Sequence, residues 1–162
     1  MKLKNIALAS ALLAVTCGAI AAPQVDFNVE AVIPDNNFYV TPLNGWDGQT
    51  QKMGWNEASL SLSDLNLQMK MKNSTGGIKA YLNGQPALTS SASADVIDLD
   101  IKIAGKPLPL TAAAAVELYT ATEAAVEKTA TMTVSQKTKG ARPAAGTYMG
   151  AVTMIFDTVP KP

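Results

Sequence analysis

The chain has 162 residues, 13 of them basic and 13 acidic, with one cysteine and no histidine. The lack of histidine removes the commonest general base and the commonest metal ligand together. So even a charge balance gives no electrostatic basis for binding nucleic acid or an anionic membrane surface. No catalytic, metal or cofactor constellation is expected, and the protein is not expected to be an enzyme.

Taken in chain order, residues 1–5 carry Lys2 and Lys4, residues 6–15 are apolar, and residues 18–22 are small and contain Ala19-Ile20-Ala21. Charged, apolar and small-residue regions in that order predict a secretory signal peptide over residues 1–21, cleaved between Ala21 and Ala22. The apolar run is shorter than the roughly 20 residues that span a bilayer, and no later segment is apolar for long enough to do so. Cys17 lies inside this signal, and Ala14-Val15-Thr16 before it fit a lipoprotein box poorly. The expected mature chain has no thiol and therefore no disulfide. Loss of Lys2 and Lys4 leaves 11 basic against 13 acidic residues. The remaining length suits a single domain with one core.

The mature N-terminus alternates apolar and polar residues. Val25, Phe27, Val29 and Ala31 share one phase and Ile33 continues it, which predicts a strand with one face made for burial. Pro34-Asp35-Asn36-Asn37 ends it with turn chemistry. A short strand is predicted from 38 to 43, with Pro42 marking a sheet edge, and a polar loop carrying Trp46 and Trp55 follows. Alternation resumes at Leu60 and Leu62, slips at Ser63-Asp64, and continues through Leu65, Leu67, Met69 and Met71, which predicts a β-bulge at the slip. Further strands are predicted over 78–82, 95–103 and 129–135, separated by turns at Asn83-Gly84 and Ala104-Gly105. Residues 111–126 are Ala-rich and compatible with either helix or strand. A last strand over 147–158 places Tyr148, Gly150, Val152, Met154 and Phe156 in one phase. Many short strands separated by turn residues predict an all-β antiparallel sandwich.

Few residues carry candidate chemistry. Asp95, Asp98 and Asp100 are possible hard-cation ligands, but Asp98 and Asp100 fall on an outward strand face where charges are ordinarily solvated. Lys137, Lys139 and Arg142 form a small basic loop cluster. Asn73-Ser74-Thr75 matches a glycosylation sequon. Trp46 and Trp55 either stack on sugars or cap the core.

Three stretches resemble the major pilins of the colonisation-factor-antigen family, the alternate (alpha) class of chaperone–usher fimbriae. The first is Phe27-Asn28-Val29-Glu30-Ala31-Val32-Ile33-Pro34, similar to that family's alternating donor strand. The second runs from Met69-Lys70-Met71 through Leu88-Thr89 to Ile101-Lys102-Ile103-Ala104-Gly105-Lys106-Pro107-Leu108. The third, Ala144-Ala145-Gly146-Thr147-Tyr148-Met149-Gly150-Ala151-Val152, is close to the family's T-A-G-x-Y-x-G-x-V ending. The chain departs from the family pattern at Val40-Thr41-Pro42-Leu43-Asn44-Gly45-Trp46 and in its extension Pro160-Lys161-Pro162.

The resemblance implies an incomplete immunoglobulin-like sandwich over residues 36–162, completed by a donor strand from another copy. The donor strand would be residues 22–35, with Val25, Phe27, Val29, Ala31 and Ile33 buried. The acceptor groove, also the chaperone contact, would be lined by Tyr148, Gly150, Val152, Met154 and Phe156. Expected partners are further copies of the chain, a periplasmic chaperone, an outer-membrane usher and a tip adhesin. The expected function is that of a structural major subunit of a surface fimbria that supports adhesion, exported through the periplasm to the cell surface. The period of two alone equally allows an ordinary first strand, and with it a self-contained secreted binding domain for a carbohydrate or protein ligand.

Overall fold

The computed structural model describes residues 37–161. The expected signal peptide, its cleavage site and the alternating strand of residues 25–33 lie outside the described residues. Within them, β1 (Phe38–Pro42), β4 (Leu65–Asn73), β10 (Lys128–Gln136), β7 (Val96–Ile103), β6 (Ala87–Ser90) and β11 (Tyr148–Met149) lie side by side in that order. With β8 (Lys106–Pro107) paired to the end of β7, they make a seven-stranded sheet. A second sheet holds β12 (Met154–Pro160), β5 (Gly76–Leu82) and β9 (Val116–Tyr119), and β2 (Trp55–Asn56) forms a separate hairpin with β3 (Ser61–Leu62). Every pairing is antiparallel.

Alternation in the sequence becomes two-faced strands. In β7, Ile97, Leu99, Ile101 and Ile103 are buried while Val96, Asp98, Asp100 and Lys102 are exposed. Met69 and Met71 of β4 and Ala130, Met132 and Val134 of β10 extend that inward face, and Ile78, Ala80, Leu82 and Leu118 of the smaller sheet pack onto it as one core. Each large side chain so buried contributes about 1.5–3 kcal/mol. The all-β expectation from strand spacing is therefore met.

Local chemistry sets the connections. Ala104 and Gly105 both adopt positive φ, 50° and 77°, and Ile103 pairs with Lys106; left-handed residues at both centres of a two-residue turn match the twist of the strands they join. At the crossover from β4 to β5, Asn73 is fully buried. Its Nδ2 donates to the Gly77 carbonyl at 2.9 Å and to the Thr158 hydroxyl at 3.2 Å. Its Oδ1 accepts from the Thr75 N–H at 3.1 Å and the Thr75 hydroxyl at 2.8 Å. The Asn73-Ser74-Thr75 sequon is thus a structural turn, with its amide committed inside the protein.

Three local expectations are corrected. The slip at Ser63-Asp64 is not a bulge in one strand: β3 pairs with β2, Leu60 takes a positive φ of 45°, and β4 begins afresh at Leu65. Residues 111–126 are neither one helix nor one strand. They hold a 3-10 turn (Ala112–Ala114), β9, and a single helical turn, α1 (Ala121–Ala124). That turn is set by a capping box in which Glu123 accepts from the Thr120 N–H at 2.9 Å while the Thr120 hydroxyl accepts from the Glu123 N–H at 3.4 Å. The predicted last strand is two strands in two sheets: β11 pairs with β6, the chain leaves the sheet at Gly150, and β12 pairs with β5.

Candidate functional site

Among the described residues the seven-stranded sheet faces a layer of three strands, and the cover is uneven along β4. Met69 and Met71 are 1% and 0% exposed, whereas Leu65 and Leu67 on the same inward face remain half-buried. The uncovered end is a groove of about 840 Å³. Its floor is the inward face of the large sheet: Leu65 and Leu67 of β4, Met132 and Val134 of β10, Ile97 and Leu99 of β7, and Leu88 of β6. One wall is the loop of residues 46–53 with Trp55 and Leu62; the other is residues 142–152 and Met154 at the start of β12. Charged groups, Asp47, Lys52 and Arg142, are few among the lining residues.

Each wall has its own fastening. In the first, Pro42 ends β1, since proline lacks the N–H that would continue the ladder. Asn44 and Gly45 then turn through positive φ values of 63° and 60°, and the Trp46 indole N–H donates to the Gln68 carbonyl at 2.7 Å. Trp46 therefore packs on the core while facing the groove. Trp55 also lines the groove, but its buried indole nitrogen has no hydrogen-bond partner among the described residues. A buried donor left unpaired costs about 1–3 kcal/mol.

In the second wall, the Ala144 N–H donates to the Asp95 carboxylate at 2.6 Å, and the Tyr148 hydroxyl donates to the Ala144 carbonyl at 2.9 Å. Lys139 reaches Asp64 at 3.4 Å and Arg142 reaches Glu57 at 2.8 Å, so two of the three basic loop residues pair with the β2–β3 region. Asp98 and Asp100 are exposed on the outer face of β7. Among the described residues no cluster of three potential ligands could hold a metal ion, and Asp95 serves as a loop clasp.

Of the residues expected to line an acceptor groove, Tyr148, Gly150, Val152 and Met154 lie in the groove wall, while Phe156 packs against the core further along β12. Val25, Phe27, Val29, Ala31 and Ile33, with Ala21 and Ala22, lie outside the described residues. Sequence reasoning missed the floor of the groove and Trp55 with the 46–53 wall. The alternation of Leu65, Leu67, Ile97 and Leu99 marked them as core; nothing local marks that their cover stops short.

The described residues thus form an all-β sandwich whose apolar floor has, among them, no cover along one side. The chain belongs to the CS1 type fimbrial major subunit family, whose model matches residues 23–157. It is thus a structural subunit of a cell-surface fimbrium. No curated protein matches it. Among solved structures, the fold is similar to the CooA pilin subunit from enterotoxigenic Escherichia coli, with a TM-score of 0.56 at 19% identity, covering 73% of this chain and 86% of that one. It is also similar to a chain from a chaperone–tip adhesin complex of CFA/I fimbriae biogenesis, with a TM-score of 0.53 at 13% identity, covering 77% of this chain and 42% of that one. No described helix is long and apolar enough to cross a membrane.

Proposed function

We propose that this subunit polymerises by donor-strand exchange, residues 22–35 of one copy filling the groove of the next. The groove carries the reading: half-buried leucines line its floor, and beside it Met154 begins β12, whose outer edge has no strand among the described residues. An extended segment added to that edge gains main-chain hydrogen bonds, and its alternate side chains fill the slot. Val25, Phe27, Val29, Ala31 and Ile33 have the spacing and apolar character for this. Their burial, about 1.5–3 kcal/mol for each large side chain, is of the same order as the entropic cost of association, and the main-chain hydrogen bonds add to it.

The arrangement of the described domain supports head-to-tail growth. The chain enters it at Asn37, whose carbonyl accepts from the Ser74 N–H at 2.7 Å, beside the Asn73 end of β4. The groove lies at the Leu65 end of the same nine-residue strand, about 26 Å away at the usual rise of a strand. The domains are residues 22–35 as donor and 36–162 as acceptor, following a signal peptide of residues 1–21. A periplasmic chaperone fills the groove before the next subunit does, an outer-membrane usher exports the growing fibre, and the finished shaft serves adhesion behind a tip adhesin.

Deleting residues 22–33 from the exported chain is expected to abolish fibres in electron micrographs while leaving chaperone-bound subunit in the periplasm. Normal fibres from that deletion would contradict the proposal. The rival reading, a self-contained binding domain, instead expects the intact chain to be a stable monomer.

A further inference from the structure

On the outside of the sandwich, β1 stops at Pro42, paired to Met69, while β4 runs on to Leu65. The edge of β4 from Leu65 to Gln68 thus has no strand on that side among the described residues. The loop that leaves β1 swings away and, with that edge, borders an open recess of about 540 Å³ that shares Trp46, Gln49, Gln51 and Leu67 with the groove. We infer that this recess is a binding site for a neutral saccharide.

Its lining contains no charged side chain. Its polar groups are five amides, from Asn44, Gln49, Gln51, Asn66 and Gln68, and the hydroxyl of Thr131, set around Trp46. The indole is held by its N–H bond to the Gln68 carbonyl at 2.7 Å. Gln51 Nε2 ties the loop through the carbonyls of Trp46 at 3.3 Å and Gln49 at 3.4 Å. The turn that presents the ring passes through Asn44 at a φ of 63°, a conformation non-glycine residues adopt at a cost and that is enriched at ligand clamps. The side chains of Asn44, Gln49, Gln68 and Thr131 make no hydrogen bond among the described residues, and Asn66 uses only its Oδ1, accepting from Thr133 at 2.8 Å.

These groups have the chemistry of a sugar. An amide both donates and accepts, as does each hydroxyl of a sugar ring, and a fixed aromatic surface matches the apolar face that a pyranose presents. The absence of a cation in the lining gives sialylated, sulfated or phosphorylated glycans nothing to pair with. An open site of this kind binds weakly alone. A fimbrial major subunit repeats it along the whole shaft, and linked sites gain avidity of 10²–10⁴ without any new contact. The inference stands on this recess and on family membership, and does not depend on strand exchange.

The test is retention of assembled wild-type fibres on immobilised neutral oligosaccharides, ending in galactose or N-acetylglucosamine, with sialylated versions alongside. Fibres are expected to be retained on at least one neutral glycan, to be released by the free oligosaccharide, and to lose retention at least tenfold with Asn66→Ala plus Gln68→Ala, two residues that do not line the groove. If that double variant does not assemble, each single variant is expected to lose at least threefold. Retention on no neutral glycan, equal retention on sialylated ones, or retention unchanged by these substitutions overturns the inference. A site occupied by a peptide instead would appear as the first of these outcomes.

Discussion

The α-carbon of Gly150 sits so close to the carbonyl oxygen of Ala87 that any β-carbon there would overlap it. This contact lies where the chain leaves β11 for β12 and holds the groove wall against β6. Gly150→Ala forces that wall outward. The expected result in chemical denaturation is a loss of about 1–3 kcal/mol, the usual range for overpacking. An unchanged midpoint would show that the wall yields freely.

Asn73 satisfies four partners from a fully buried position. Asn73→Ala leaves the Gly77 carbonyl and the Thr75 N–H short of a partner and opens a small void. The expected loss is about 2–3 kcal/mol, from unpaired buried groups. Expression in a glycosylating host is expected to leave Asn73 unmodified in folded protein, as checked by intact mass.

The two tryptophans are expected to respond differently to the same change. Trp46→Phe removes a bonded N–H and strands the Gln68 carbonyl, whereas Trp55→Phe removes a donor that has no partner among the described residues. Both lose similar ring area. Trp46→Phe should therefore be the more destabilising by about 1 kcal/mol, the net worth of a typical hydrogen bond, in parallel urea melts.

Acid should act through three carboxylates. Glu123 is held below its ordinary 4.5 first by the backbone N–H of Thr120, and Glu127 below the same value by hydrogen bonds from Lys70 and Tyr39. Asp157 is held below its ordinary 3.8 by the Thr158 N–H and then by Lys79. Each is lower when folded than when unfolded, so each adds stability that is complete above its ordinary value and is lost as pH falls through the lowered one. Tyr39 and Tyr119 are raised above 10.0, Tyr39 mainly by its bond to Glu127 and Tyr119 by burial. Their contribution is present below pH 10.0 and lost as pH rises through the raised values. With no histidine in the chain, the melting temperature should be flat from about pH 5.5 to 8 and fall below about 4.5. Glu127→Gln should shallow that acid limb; a step near neutrality would contradict the account.

Much of the fold was legible in the sequence because a period of two reports which face a residue takes. It does not report which strand lies alongside. Tyr148, Val152, Met154 and Phe156 keep one phase across the change of sheet because both segments face the same core, so two strands read as one. Leu62 and Leu65 misled in the same way, since each alternates correctly with its own neighbours but in different sheets. The helical turn at Ala121–Ala124 did have a local signal, Thr120 three residues before Glu123, hidden by the alanines around it. The groove had none: a missing cover is a property of the second layer and cannot be read from Leu65 or Leu88.

The most direct test of the central claim offers the groove its proposed strand. A peptide of residues 22–35 is added during refolding of a chain that begins at residue 36, and amide hydrogen exchange is followed along β12. A one-to-one complex is predicted that raises the melting temperature and protects the outward-facing backbone amides of Met154 and Phe156, with Phe27→Asp in the peptide abolishing both effects through an unpaired buried charge. A peptide that binds no better than its scrambled sequence, leaving those amides as exchangeable as before, would contradict it.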